Sequence, residues 1–242
     1  ILLPFIIQMI VILIDLLKNE AAPFMRVLSE MMQFAYDQYR HPEALKAICS
    51  IARITNQNVP NAVNIVIMQL NNSILSEDST NEIELPSYEM RLTAITSIAL
   101  YLSFCKIDDY FHELMRILLR LLESQQEQTD VKIIDSSLKI EVIEALNSLH
   151  FHFPPLMKPF FEKLMIVYGA ALESVPAIRF QEEDEKTAVQ MNYAILEGIK
   201  LLLMNEPDDS APTIMQMAIA AIQSAIGSPC INPQCVSELV DL

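Results

Sequence analysis

Glycine is scarce in this 242-residue chain, which has only 3 glycines against an average usage of roughly 7%. Loops that cradle phosphate groups and the tight turns of β-rich folds depend on glycine, so neither is expected here. The catalytic motifs G-x-S-x-G and H-E-x-x-H do not occur in the sequence either. Hydrophobic residues make up 52% of the chain and include 13 Met, which fill irregular gaps between helices. The composition therefore predicts an all-α fold.

Basic residues are also few, since 16 Lys and Arg face 31 Asp and Glu and leave a formal net charge of −15. A chain this acidic does not follow a phosphate backbone, so direct binding of nucleic acid is not expected. Two interpretations of the charge remain open. It either attracts a basic protein partner or keeps an apolar helical protein in solution.

Cysteine occurs four times and gives no sign of a metal or disulfide framework. Cys49 and Cys105 lie within apolar helical patterns, where they are expected to be small buried hydrophobes. Cys230 and Cys235 have no histidine or second cysteine pair nearby, so a zinc site is not expected. The pattern favours a reducing compartment and predicts neither metal nor cofactor.

One long apolar run, residues 1–17, could be a membrane span or the core of a signal peptide. Pro4, Gln8 and Asp15 interrupt the run, and no basic region precedes it. These features favour a buried helix of a repeat array, with no membrane insertion. The chain opens on Ile, and we expect it to be a fragment of a longer protein.

Helical pairs recur along the chain, and the short turn within most pairs holds a proline. Apolar residues spaced by three and four predict five antiparallel hairpins and the start of a sixth repeat from Pro233. The predicted helices are 2–18 with 23–37, 42–56 with 59–75, 87–105 with 108–123, 134–151 with 155–174, and 186–204 with 211–227. Repeats of about 45–52 residues are typical of a HEAT-type α-solenoid, here one array over 1–242.

The connections between hairpins are acidic and are predicted to be loops over 76–86, 123–131 and 175–186. Such loops are either solvated linkers or part of a binding face, because repeat proteins accept insertions along one edge.

Histidines are the remaining candidates for chemistry, and their spacing does not favour it. His150 and His152 are two apart and would point about 200° apart on a helix, so they would not chelate one metal. A packing or capping role is expected for both, and His41 before Pro42 is expected to begin a helix. The chain is therefore not expected to be an enzyme.

Several stretches of the sequence resemble consecutive HEAT repeats of the latter half of the importin-β (karyopherin-β) family. These stretches are 42–48, 87–95, 138–146, 155–161, the acidic linker before Thr187 and the helix over 193–199. The resemblance extends over roughly 1–240. It implies a nuclear transport receptor of cytoplasm and nucleus that wraps a basic adaptor or cargo segment and releases it to the GTP-bound Ran GTPase. Tryptophans grip the adaptor in that family, and this chain has none.

If the resemblance holds, acidic residues on second helices and in one loop would pair with Lys and Arg of the cargo. The candidates are Glu30, Asp109, Glu113, Glu123, Glu182, Glu183, Asp184 and Glu185. Each of them could instead be a solvated or helix-capping residue. The rival hypothesis is a constitutive scaffold subunit of the phosphatase or cohesin and condensin type, which would hold fixed partners and ignore Ran.

Overall fold

A computed structural model describes residues 3–17, 23–75, 86–123, 135–181, 185–205 and 211–226, and these residues form helices with no strand among them. The helices are α1 (Leu3–Leu17), α2 (Met25–Tyr39), α3 (Pro42–Thr55), α4 (Val59–Leu75), α5 (Tyr88–Leu100), α6 (Asp108–Glu123), α7 (Ser136–His152), α8 (Pro154–Met157), α9 (Phe161–Gln181), α10 (Glu185–Asn205) and α11 (Ala211–Ile226). Short 3₁₀ turns occupy Leu102–Phe104 and Lys158–Phe160. The predicted all-α class is confirmed.

Helix starts follow ordinary capping chemistry. The side chains of His41, Ser87 and Asp135 each accept a hydrogen bond from a backbone N–H in the first turn of the helix that follows. The role predicted for His41 is thus confirmed. Pro42, Pro60, Pro154 and Pro212 lie inside the first turn of a helix, where a missing N–H costs no intrahelical bond, whereas Pro23 precedes α2.

Two helix ends place a residue other than glycine in the left-handed region. Arg40 follows α2 at φ 47°, and Asn56 follows α3 at φ 51°. Asn58, before α4, has φ 54°. Glycine usually occupies such positions, and in this glycine-poor chain arginine and asparagine occupy them instead.

Three predicted boundaries were wrong. The predicted helix 87–105 ends at Leu100, because Tyr101 leaves helical geometry and the Ser103 hydroxyl donates back to the Ala99 carbonyl at 2.9 Å. The predicted helix 155–174 is broken into α8, a 3₁₀ turn and α9, because Pro159 has no N–H to donate within the helix. The predicted loop 175–186 is largely helical, since α9 continues to Gln181.

The first compact unit spans Ile1–Ile117 and is built around α3. Helices α1 and α5 both pack on α3, which also contacts α2 and α4, and α4 contacts α5. In the stretch 44–52 of α3, every residue except Lys46 is consequently buried. The eight buried residues are Ala44, Leu45, Ala47, Ile48, Cys49, Ser50, Ile51 and Ala52. Burial on all sides of one helix makes α3 the core of this unit.

The second compact unit spans Leu118–Leu242, and its centre is α10. Helix α10 packs on α7, α9 and α11, and α9 also contacts α11. Its buried residues include Met191, Ile195, Ile199 and Leu202 at helical spacing.

The predicted burial of two cysteines is confirmed. Cys49 and Cys105 are free thiols in the interior of the first unit, with 0% and 5% of their surface exposed. Burial raises the pKa of the Cys49 thiol to about 12 and also raises the pKa of the Cys105 thiol. Both therefore stay protonated at neutral pH and act as small hydrophobes. Cys230 and Cys235 lie outside the described residues, as does the predicted repeat start at Pro233.

A buried polar pair joins the second helices of the first two hairpins. The Gln69 amide on α4 donates a hydrogen bond to the Tyr36 hydroxyl on α2, and both side chains are buried. Nearer the surface, the Asn61 amide donates to Gln33 at 2.9 Å. The contacts place α2 beside α4.

We expect Tyr36→Phe to destabilise the protein by about 1–3 kcal/mol, because Gln69 would lose its buried partner while the shape of the core is kept. Urea denaturation of the variant measures this cost. Tyr39→Phe is the matched control, since Tyr39 lies on the same helix and is 59% exposed. Equal midpoints for the two variants would contradict the expectation.

Candidate partner-binding surface

Helix α6 presents two of the predicted acidic residues at its amino-terminal end. Asp109 and Glu113 are exposed, while Phe111, Leu114 and Met115 on the same helix are buried. Asp108 and Asp109 lie in the first turn, where a carboxylate is stabilised by the helix dipole. Among the described residues, neither Asp109 nor Glu113 makes an ion pair, so both carboxylates face solvent and are open to a basic ligand.

Glu30 on α2 is already engaged with its own helix. The Arg26 guanidinium lies 3.2 Å from the Glu30 carboxylate one turn away, and both side chains are largely exposed. Gln33 donates to Asp37 at 3.1 Å in the next turn of the same polar stripe. A pair of this kind contributes only a few tenths of a kcal/mol, about 0.3–0.5, and a stronger basic ligand could displace it.

Glu123 at the end of α6 is engaged with a different helix. The Lys163 ammonium on α9 lies 3.0 Å from the Glu123 carboxylate, and both side chains are about half exposed. Here the carboxylate helps to fix α9 beside the end of α6, in the manner of a structural ion pair. The Glu123 carboxylate therefore already has a basic partner within the chain.

The predicted loop residues Glu182, Glu183 and Asp184 lie outside the described residues. Glu185 begins α10, and its side chain is not among those described. The connecting stretches 76–85, 182–184 and 206–210 together hold ten acidic residues and no basic one. Two thirds of the surplus negative charge of the chain is therefore carried by these three connecting stretches, and not on the helices.

Two further carboxylates, Glu141 and Glu144 on α7, were not among the predicted residues. Desolvation by burial raises the pKa of Glu141, and the nearby charge of Glu144 raises it further. Burial likewise raises the pKa of Glu144. The sequence does carry a signal for these two residues, which is their position inside the apolar run 140–146. Two carboxylates at i and i+3 among buried neighbours lose hydration, and this raises their pKa. A cationic side chain placed against this pair would lower the pKa of both carboxyls.

In the first unit, a cation–π contact joins the second hairpin to the third. The Arg53 guanidinium carbon lies 4.1 Å from the centre of the Phe104 ring, and the guanidinium donates to the Leu100 carbonyl at 2.9 Å. Together these contacts tie the end of α3 to the turn after α5. Both contacts are made within the chain and give Arg53 a structural role.

A buried polar cluster holds α7, α9 and α10 together in the second unit. The Tyr168 hydroxyl donates to the Asn147 side-chain oxygen at 2.6 Å, and the Asn147 amide donates to the Ala194 carbonyl at 2.7 Å. Burial raises the pKa of the Tyr168 hydroxyl beyond its ordinary range. Gly198 on α10 faces the same two side chains. Asn147, Tyr168 and Gly198 are all buried, so the cluster positions the three helices relative to one another.

The histidines and acidic residues are the side chains that could catalyse a reaction or bind a metal ion. His150 is fully buried against Phe161, with ring centroids 5.4 Å apart, which agrees with the predicted packing role. Within the described residues, no group of three or more His, Cys, Asp and Glu side chains is placed to hold a metal ion. None of the described helices is both long enough and apolar enough to cross a membrane. The expectation that the chain is not an enzyme stays a prediction.

Comparison of the chain with protein-family models, with curated proteins and with solved structures gives no match.

Proposed function

We propose that this chain is a non-catalytic α-solenoid of the nuclear transport receptor type, which binds a basic adaptor or cargo segment and releases it to GTP-bound Ran. The observation that supports the proposal is the set of helices that pack together within each unit. In the first unit, α1, α3 and α5 follow one another, and α2 lies beside α4. In the second unit, α7 packs on α10 and α9 on α11. Hairpins stacked in this way expose a row of second helices as a binding wall.

The charges on the second helices support a basic ligand. Asp109 and Glu113 on α6 are exposed and face solvent, and Glu30 on α2 has only a weak partner in its own helix. A lysine or arginine of the ligand would gain a charge-assisted hydrogen bond from each. The acidic connecting stretches would add long-range attraction and speed the encounter.

A direct binding assay tests the first half of the proposal. A fluorescent twenty-residue Lys- and Arg-rich peptide is titrated with the chain at low and moderate salt, beside an alanine-rich peptide as a negative control. We expect saturable binding that weakens as salt increases. The variant Asp109→Asn/Glu113→Gln should weaken it by about twofold to thirtyfold, since each of the two exposed pairs contributes about 0.2–1 kcal/mol. Glu89→Gln is the matched control, because Glu89 is exposed on α5, which is a first helix and carries none of the proposed binding residues.

The second half is tested by adding GTP-loaded Ran to the preformed peptide complex, with GDP-loaded Ran as the control. Release by the GTP form alone supports a transport receptor. Peptide binding that ignores Ran, together with a fixed set of subunits in cell extract, would favour the constitutive scaffold. If the chain bound the basic and the alanine-rich peptides with equal affinity, the claim that its exposed acidic residues bind a basic segment would be contradicted.

A further inference from the structure

Helix α4 carries no charged side chain, although 19% of the chain is charged. Its water-facing side consists mainly of asparagine. Asn61 and Asn64 are exposed, Asn71 and Asn72 are partly exposed, and Met68 lies between them with 39% of its surface exposed. At 3.6 residues per turn, these five positions fall within an arc of about 100° around the helix. We call these five residues the asparagine face of α4.

The composition of the asparagine face is unfavourable for the helix alone. Asparagine is up to about 0.7 kcal/mol per residue less favourable in a helix than alanine, whereas Lys, Glu, Gln and Arg are good helix formers that water solvates equally well. The exposed sides of α2 and α6 do carry charged residues, as at Glu30 and Glu113. Helix stability and solubility therefore do not account for four asparagines on one face.

The chemistry of the carboxamide group matches that of a peptide backbone. A carboxamide has an acceptor oxygen and an NH₂ group with two donors, so it can hydrogen-bond both the C=O and the N–H of a peptide. Carboxylates only accept and ammonium groups only donate, so neither matches both. The protein itself binds main chain in this way, since Asn147 donates to the Ala194 carbonyl at 2.7 Å. A face of neutral carboxamides therefore suits the backbone of a ligand better than its charged side chains.

The asparagine face is long enough for an extended segment. From Asn61 to Asn72 the helix rises about 16 Å at 1.5 Å per residue. An extended peptide rises about 3.3 Å per residue, so about five of its residues, laid along α4, cover this length. A helical ligand would not form the same bonds, because its backbone groups are already paired with one another. The face therefore fits a peptide in extended conformation.

Helix α2 supplies negative charge beside this face. The Asn61 amide donates to the Gln33 side-chain oxygen at 2.9 Å, and the Gln33 amide donates to the Asp37 carboxylate at 3.1 Å. Asp37 and Glu30 are both exposed on α2. Lysine or arginine side chains that project from a backbone held on α4 would therefore meet carboxylates on α2. This charge favours a basic segment as the occupant.

We propose that the asparagine face of α4 binds the main chain of an extended basic segment through hydrogen bonds between its carboxamides and the peptide groups of the ligand. The inference rests on the proposed function for the basic character of the ligand, and it adds the conformation and the atoms by which the ligand is held. It has a specific signature. The contribution of the neutral carboxamides depends on the backbone N–H groups of the ligand and leaves the salt dependence of binding unchanged.

Titration of the fluorescent basic peptide with variants of the chain tests the proposal. A second peptide of the same sequence is methylated on every backbone nitrogen, which keeps its charges and removes its backbone donors. Asn64→Ala/Asn71→Ala should weaken binding of the unmethylated peptide by about fivefold to a hundredfold, since two hydrogen bonds are lost. The same variant should change the affinity for the methylated peptide by less than about twofold. Gln190→Ala is the matched control, because Gln190 is an exposed carboxamide on the first helix α10.

The outcomes separate this inference from the proposed function. Alanine favours the helix at both positions, so each variant should retain the helical circular dichroism of the unmodified chain. If the basic peptide binds and the asparagine variant binds it as tightly as the parent does, the inference is overturned and the proposed function stands. An asparagine variant that weakens both peptides equally would also overturn the inference, because the backbone donors would then have no part. If the basic peptide does not bind at all, both are overturned.

Discussion

Gly198→Ala will destabilise the second unit by about 3 kcal/mol or more, a cost of the size seen when a packed core is overfilled and a buried hydrogen bond is broken. A Cβ atom at this position would lie 2.5 Å from Tyr168 Cζ, 2.7 Å from the Tyr168 hydroxyl and 2.6 Å from the Asn147 side-chain oxygen. These atoms are buried and hydrogen-bonded to one another, so they have little room to move away. Asn147 also holds the Ala194 carbonyl, and its displacement would loosen α7 from α10.

Gly169→Ala is the matched control, since Gly169 is likewise a helical glycine of the second unit. Its added Cβ would have Met217 Cε at 3.9 Å, which is an ordinary contact. The better helix propensity of alanine should leave the variant as stable as the parent or about 1 kcal/mol more stable. Urea denaturation followed by circular dichroism measures both. Equal effects of the two substitutions would show that helix propensity, and not the buried cluster, decides the role of Gly198.

Acidification from pH 7 to pH 4 will cost about 3 kcal/mol of stability through His150 alone. Burial lowers the pKa of this histidine from 6.5 to about 4, and neither ring nitrogen has a hydrogen-bond partner among the described residues. The unfolded chain therefore binds a proton near pH 6.5 that the folded chain refuses until about pH 4. The contribution is fully present above pH 6.5 and is lost as the pH falls from 6.5 towards 4.

His150→Leu isolates this effect, because leucine has a similar size and no ring nitrogens to charge. The difference in unfolding free energy between variant and parent should be small at pH 7 or favour the variant, and should grow by about 3 kcal/mol by pH 4. Glu141 and Glu144, whose raised pKa favours protonation in the folded state, act in the opposite direction and are present in both proteins. A parallel pH dependence of parent and His150→Leu would contradict the prediction.

The sequence predicted the positions of the helices far better than it predicted which helices and side chains contact one another. Apolar spacing and the prolines placed the ends of α3, α4 and α6 within one residue, because those signals are local. The same spacing, with buried Tyr168, Ala171 and Val175, continues α9 beyond the predicted end at 174. The acidic residues 182–185 favoured a loop over 175–186, whereas the apolar spacing correctly indicates a longer helix.

The candidate residues depended on information that a single sequence does not hold. Glu123 and Lys163 are 40 positions apart, and only folding pairs them. Gly198 reads as an ordinary weak point in a helix, and its value becomes visible only when Tyr168 and Asn147 are placed against it. Likewise, α1 was predicted to be a buried helix, and that prediction was half right, since one apolar face is covered and the other is exposed.

The left-handed helix ends at Arg40 and Asn56, together with Asn58, have a consequence for the unfolded chain. A residue with a Cβ atom has fewer backbone states open to it than glycine, so it loses less conformational entropy on folding. Each left-handed position costs about 1–2 kcal/mol of local strain, least for asparagine. This chain has 3 glycines among 242 residues. It therefore carries backbone strain at three positions of the folded state, while its unfolded state has less conformational entropy to lose than that of a glycine-rich chain.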